Sequence, residues 1–168
     1  LSDVVLTFDM NATYNSGVKP PAVAAFSRGV MLAASVHDRA ALNKLRTGGD
    51  DPVRFRFDLA RLALPGGEAN RTITQMALLV VGHTPGNYAA LVELPADAAS
   101  ANITLEQGLG LTNNAEMLGT AAPLPLNALA GLKADQAIEV EILPAGAEEE
   151  LARALDVVLY LEYSADPA

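Results

Sequence analysis

The chain has 168 residues, 51% of them apolar, no cysteine and a formal net charge of −9. That length suits one domain that buries roughly two thirds of its unfolded surface, and the missing thiols exclude disulfides, thiolate metal sites and a thiol nucleophile. The acidic balance, with eleven Lys and Arg scattered along the chain, argues against nucleic acid and an anionic membrane surface, and the longest apolar run, Met76 to Val81, falls far short of the ~20 residues that span a bilayer.

The ends of the chain are near copies. Asp3-Val4-Val5-Leu6-Thr7-Phe8-Asp9-Met10-Asn11-Ala12 aligns with Asp156-Val157-Val158-Leu159-Tyr160-Leu161-Glu162-Tyr163-Ser164-Ala165. Each reads as a strand, because Val4, Leu6, Phe8 and Met10, like Val157, Leu159, Leu161 and Tyr163, fall on one face at period two. The chain starts at Leu1 without a basic and apolar leader, so it reads as an excised part of a longer protein.

Tyr14-Asn15-Ser16-Gly17 is turn chemistry. Val23, Phe26, Val30 and Ala33 then recur at helical spacing, which predicts a short helix from about 22 to 34, with a loop as the alternative. Asp38 suits the cap of a second helix over 39–46, with basic residues in its last turn and Gly48-Gly49 beyond it. Together these form a helical insertion at about 22–46.

Strand patterns take over from Val53. Val53, Phe55, Phe57 and Leu59 alternate with Arg54, Arg56 and Asp58. Ile73 to Val81 is apolar on both faces after Gln75, as in a central strand covered on both sides or in a helix segment, and Thr72, Ile73 and Thr74 favour the strand. Thr84-Pro85-Gly86-Asn87 reads as a turn leading to a strand from Tyr88 to Leu94, so these two strands are expected to form a hairpin. Asn102 to Leu105 reads as a short strand, 108–118 as loop, Leu126 to Leu129 as one helical turn and Ile138 to Leu143 as a strand stopped by Pro144. The expected fold is mainly β, one antiparallel sandwich of about six to eight strands with the helical insertion near its start. In such a sandwich the two copied end strands would pair or stack on equivalent sites of the two sheets.

The closing strand resembles the "DVILHLRYTAR" type of strand near the C-terminal end of the A components of Tc insecticidal toxin complexes and related large bacterial proteins. Ser2 to Phe8 looks like another instance. Phe55-Arg56-Phe57-Asp58-Leu59 to Leu64-Pro65, followed by Arg71-Thr72-Ile73-Thr74-Gln75-Met76-Ala77-Leu78-Leu79, is similar to that region's strand, Pro-containing turn and "R-x-I-x-x-V-x-L" strand. Glu162 stands where the family strand has a basic residue, and Ser164 where it usually has Thr. The resemblance implies a scaffold and docking module of a very large secreted assembly, partnered by neighbouring domains or subunits and without an active site.

No catalytic constellation emerges from the residues themselves. The two histidines, His37 and His83, lie at a helix start and in a turn, outside any zinc spacing. Ser27, His37 and Asp38 supply the residue types of a triad but no nucleophile elbow. Asp50-Asp51 and Glu148-Glu149-Glu150 read as solvated acidic runs without a calcium-loop pattern. The expectation is a non-enzymatic domain with no cofactor or metal. The apolar loop residues Leu109, Leu111, Met117, Leu118, Leu124 and Leu126 are the candidates for a protein contact, unless they fold back under the sheet. The alternative is a glycan or cell-surface receptor module using Tyr14, Asn15, Asn87 and Tyr88 beside turns.

Overall fold

The computed structural model describes residues 25–59, 67–82, 88–105, 109–110, 129–144 and 146–168. The alternation read from Val53 onward is a strand, β2 (Val53–Asp58), whose Val53, Phe55 and Phe57 are buried while Arg54 and Arg56 face out. It pairs antiparallel with β7 (Ala137–Leu143), where Ile138, Val140 and Ile142 repeat the pattern. Beyond β7 lie β4 (Tyr88–Leu94) and β5 (Ala99–Leu105), which completes a sheet ordered β2-β7-β4-β5.

The other sheet, called the first sheet because it holds β1, is ordered β1-β8-β3-β6 and is also antiparallel, and the β2-β7-β4-β5 sheet is the second. Its strands are β1 (Phe26–Ala33), β3 (Glu68–Gly82), β6 (Leu109–Gly110) and β8 (Ala154–Pro167). The inward side chains of both sheets form one apolar core that includes Phe55, Phe57, Met76, Leu78, Leu159 and Tyr163. This is a β-sandwich, mainly strand with a few short helices.

The helices α1 (Ala34–His37), α2 (Arg39–Arg46) and α3 (Glu148–Ala152) are short. α1 and α2 touch both β2 and β8, one strand from each sheet, so they sit across one end of the sandwich. Asp38 caps α2 as its sequence position suggests: its Oδ1 accepts from Ala41 N at 3.1 Å and its Oδ2 from Arg56 N at 3.1 Å. One carboxylate thus fixes the helix start and ties it to β2. Asp38→Ala is expected to cost about 1–2 kcal/mol in a urea melt, and a loss below a few tenths of that would show the cap to be idle.

Two expectations are corrected. Residues 26–33 form a strand and not the helix expected over 22–34, so the helical insertion shrinks from 22–46 to 34–46 among the described residues. Phe26, Val30 and Leu32 do share an inward face at period two, but Arg28 interrupts it, because that side chain reaches Glu68 across the sheet. Second, β3 and β4 do not form a hairpin: β3 pairs with β8 and β6, and β4 with β5 and β7. The chain changes sheet between them, which no local pattern signals, since the partners are remote in sequence. In the first sheet β8 is flanked over 158–165 by β1 on one side and β3 on the other; the copied segment 3–12 lies outside the described residues.

Candidate functional site

The strands of the first sheet differ from those of the second in what they show to the outside. In β2 and β7 every outward position from 54 to 56 and from 139 to 141 is charged, and Arg54 and Arg56 are tied to glutamates across strands. Arg54 Nη2 lies 3.0 Å from Glu141 Oε2 and 3.3 Å from Glu93 Oε2, and Arg56 Nη1 lies 2.7 Å from Glu139 Oε1. These exposed pairs neutralise one another and leave a solvated face. Glu141 first, by hydrogen bond and charge, raises the Arg54 pKa further above its usual value.

On the first sheet the register places Met31, Tyr160 and Ala77 in one outward row, and Ala33, Val158 and Leu79 in the next. Val81 continues β3 beside Asp156. Six of these seven outward side chains are plainly apolar, and none is charged. Met31 is 70% exposed, and Val36 and Leu155, at 79% and 49%, extend the surface at its end. Ser35 joins these two edges: its N donates to Asp156 Oδ1 at 3.0 Å and its hydroxyl to Oδ2 at 2.5 Å. Leu155 is thrown outward because β8 carries one extra residue opposite Val81-Gly82, as at a β-bulge. Among the described residues, no helix or strand is layered over this face.

Tyr160 is the largest side chain of the face, and it lies across Gly29 of β1. A Cβ on Gly29 would sit 2.8 Å from the Tyr160 hydroxyl, so glycine is what lets the ring lie flat. The hydroxyl donates to Glu162 Oε2 at 3.3 Å, and burial first, then the Glu162 charge, raises the phenol pKa. A flat apolar surface of this kind suits protein contact.

A second feature lies at the far end of β1. The Glu68 side chain is 2% exposed, and its Oε2 accepts from Arg71 Nε at 2.9 Å and from the Tyr163 hydroxyl at 3.0 Å. Arg28 Nε is 2.5 Å from Oε1, a charge contact and not an aligned hydrogen bond. Arg71 continues to Asp135 Oδ1 at 3.1 Å. Burial pushes the Glu68 pKa up, but the hydrogen bonds from Arg71 and Tyr163 and the charge of Arg28 outweigh it and hold the carboxyl below its usual range. This network joins β1, β3, β8 and the 129–136 segment, which is a structural task.

The hollows of the described surface offer less. One of about 120 Å³ is bounded by Lys44, Asp51, Val53, Glu148 and Leu151. Glu148 there accepts from Gly146 N at 2.7 Å, the bond that chiefly lowers its pKa. An open hollow of about 420 Å³ is bounded by Arg56, Asp58, Ala96, Asp135 and Gln136. Neither gathers a nucleophile with a base. Ser27 and His37 are not brought together: Ser27 lies near the start of β1 opposite Ser164, while His37 follows the other end of that strand and lies 6.4 Å, ring to ring, from Phe57.

Of the loop leucines, Leu109 opens β6 and pairs with Leu79, while Leu111, Met117, Leu118, Leu124 and Leu126 lie outside the described residues. Tyr14, Asn15, Asn87 and His83 lie outside them too, and Tyr88 begins β4 opposite Leu105. The outer face of the first sheet was not singled out from the sequence. Its signal was there, however: Met76 to Val81 and Val157 to Leu161 are apolar at successive positions, where β2 and β7 alternate strictly. Continuous apolar strands belong to sheets covered on both faces.

No protein-family model and no curated protein matches the chain. Among solved structures, the cryo-EM structure of Yersinia pseudotuberculosis TcaA-TcaB aligns with 85% of this chain at a TM-score of 0.56 and 13% identity. Turnip yellow mosaic virus aligns with 94% of this chain and 88% of the viral one, at a TM-score of 0.41 and 9% identity. The chain spans 10% of the length of the TcaA-TcaB chain, and the likeness is one of fold: this sandwich has the architecture of one part of that much larger protein.

Proposed function

We propose that this chain is a non-enzymatic assembly domain of a large, secreted bacterial protein of the toxin-complex type, and that it works by docking through the outer face of its first sheet. The observation that carries the reading is that face: an apolar surface around Tyr160, on a chain whose opposite sheet shows the charged Arg54, Arg56, Glu139, Glu141 and Glu93 on its outward side. The fold likeness to one part of TcaA-TcaB and the resemblance of the closing strand to Tc A components support the same reading from independent directions. Its partners are neighbouring domains or subunits of the parent protein. The apolar loop residues Leu109, Leu111, Met117, Leu118, Leu124 and Leu126 are proposed as a further contact for the same kind of partner.

The test places charge on the face without touching the core. Val158→Lys combined with Leu79→Lys, in the full-length parent, is expected to abolish its assembly as read by size and co-purification of subunits. The isolated chain with the same changes should keep its far-ultraviolet circular dichroism. Normal assembly of the doubly charged parent would overturn the proposal.

A further inference from the structure

We propose that the outer face of the first sheet docks a second copy of this chain, sheet against sheet, about a two-fold axis that runs along β8. This rests on the reading of that face as the docking surface and names its occupant. The argument comes from the register. Met31 and Ala77 flank Tyr160 in one row, and Ala33 and Leu79 flank Val158 in the next. A two-fold axis along the central strand leaves each row in place and exchanges β1 with β3 across the contact. Met31 of one copy then stands over Ala77 of the other, and Leu79 over Ala33. A long side chain meets a short one at every flanking position, which is the self-complementarity an isologous contact requires.

The strand on the axis fits the same arrangement. Tyr160 lies down over Gly29, so the centre does not hold the two sheets apart. Sheets that pack face to face cross at roughly 30°, which keeps the two rows nearest the crossing in register. Val36 and Leu155 lengthen the surface at one end. With strands about 4.8 Å apart and about 3.3 Å per residue, the three strands offer a footprint on the order of 400 Å². A stable complex buries about 800 Å² per partner, so the dimer is a weak one, formed at high local concentration such as an assembly provides.

Charge opposes the contact and gives it a signature. Each copy carries −9, and Glu162, one outward position along β8 from Tyr160, meets its own equivalent near the axis. Salt therefore strengthens the dimer by screening, and Glu162→Gln strengthens it at low salt. An interface made by charge complementarity would weaken with salt instead.

The experiment is sedimentation equilibrium of the intact chain from about 10 µM to about 1 mM, at about 50 mM and about 500 mM salt. The expected result is a concentration-dependent dimer, favoured at the higher salt. Met31→Ala and Ala77→Met should each weaken it about tenfold, while the double variant, which exchanges long for short across the axis, should recover most of the loss. A monomer over the whole range, or a dimer indifferent to these variants, would overturn the proposal. Hydroxyl-radical oxidation of Met31 should fall as concentration rises; protection that does not depend on concentration would mean that the face is covered within one chain, and the proposal fails. If dimerisation is absent but Val158→Lys with Leu79→Lys still blocks assembly of the parent, the second copy is wrong and the docking face stands. If both tests are negative, the docking reading falls with it.

Discussion

Phe55→Ala is expected to lower the free energy of unfolding by about 3–5 kcal/mol, with the folded architecture retained. Phe55 is fully buried in the middle of β2, opposite Val140, and its ring reaches the common core of the two sheets. Alanine would leave a cavity that neighbouring strands cannot close, because each is held in place by its own ladder of hydrogen bonds. The neighbour Arg54 provides the contrast. It points outward from the same strand, half exposed among Glu93, Glu139 and Glu141, and its loss removes only screened surface pairs. Urea melts of Phe55→Ala and Arg54→Ala measured side by side check both statements. Equal losses would mean that the strand's two faces are not distinguished by burial as the structure has them.

That contrast also explains which parts of the fold were legible in the sequence. β2 over 53–58 and β7 over 138–142 alternate apolar and polar residues, β8 keeps an apolar or aromatic residue at every inward position from Val157 to Ala165, and strand, face and burial there follow from period two alone. The α2 start was equally legible, since Asp38 stands at the cap position and its carboxylate accepts from Ala41 N. β1 was hidden by two residues that answer to distant partners. Arg28 occupies an inward position because Glu68 needs a counter-charge, and Gly29 an outward one because Tyr160 lies over it. Neither partner is near in sequence, so a helical spacing of the remaining apolar residues prevailed. The order of the strands was illegible for the same reason: β8 is flanked by β1 and β3, both more than seventy residues away. The candidate docking face was legible in principle. Apolar residues at successive positions of β3 and β8 implied a second covered face, but only the sheet order shows that these positions line up into one surface.

Glu68→Gln is expected to bring the other large loss of stability and to change its pH dependence. The carboxylate is buried between Arg28, Arg71 and the Tyr163 hydroxyl; a neutral amide of the same shape leaves two guanidinium groups without their shared counter-charge, and removing one partner of a buried pair is far costlier than losing a surface pair. The sign of the pH effect follows from the direction of the shift. Burial raises the Glu68 pKa, the hydrogen bonds from Arg71 and Tyr163 and the charge of Arg28 lower it by more, and the folded value ends below the unfolded one. The contribution is therefore fully present above the ordinary glutamate range, about pH 4.3, and is lost as pH falls through that range toward the folded pKa. Glu148, held down chiefly by the Gly146 N–H, acts in the same direction. At the other extreme, burial and Glu68 raise the Tyr163 pKa, so its contribution is present below the unfolded phenol value of about 10 and declines as pH rises beyond it. Urea midpoints of the parent chain should fall steeply between about pH 5 and about pH 3, and those of Glu68→Gln should start lower at neutral pH and fall less. Parallel acid limbs in the two proteins would show that the Glu68 network does not set the acid stability of the sandwich.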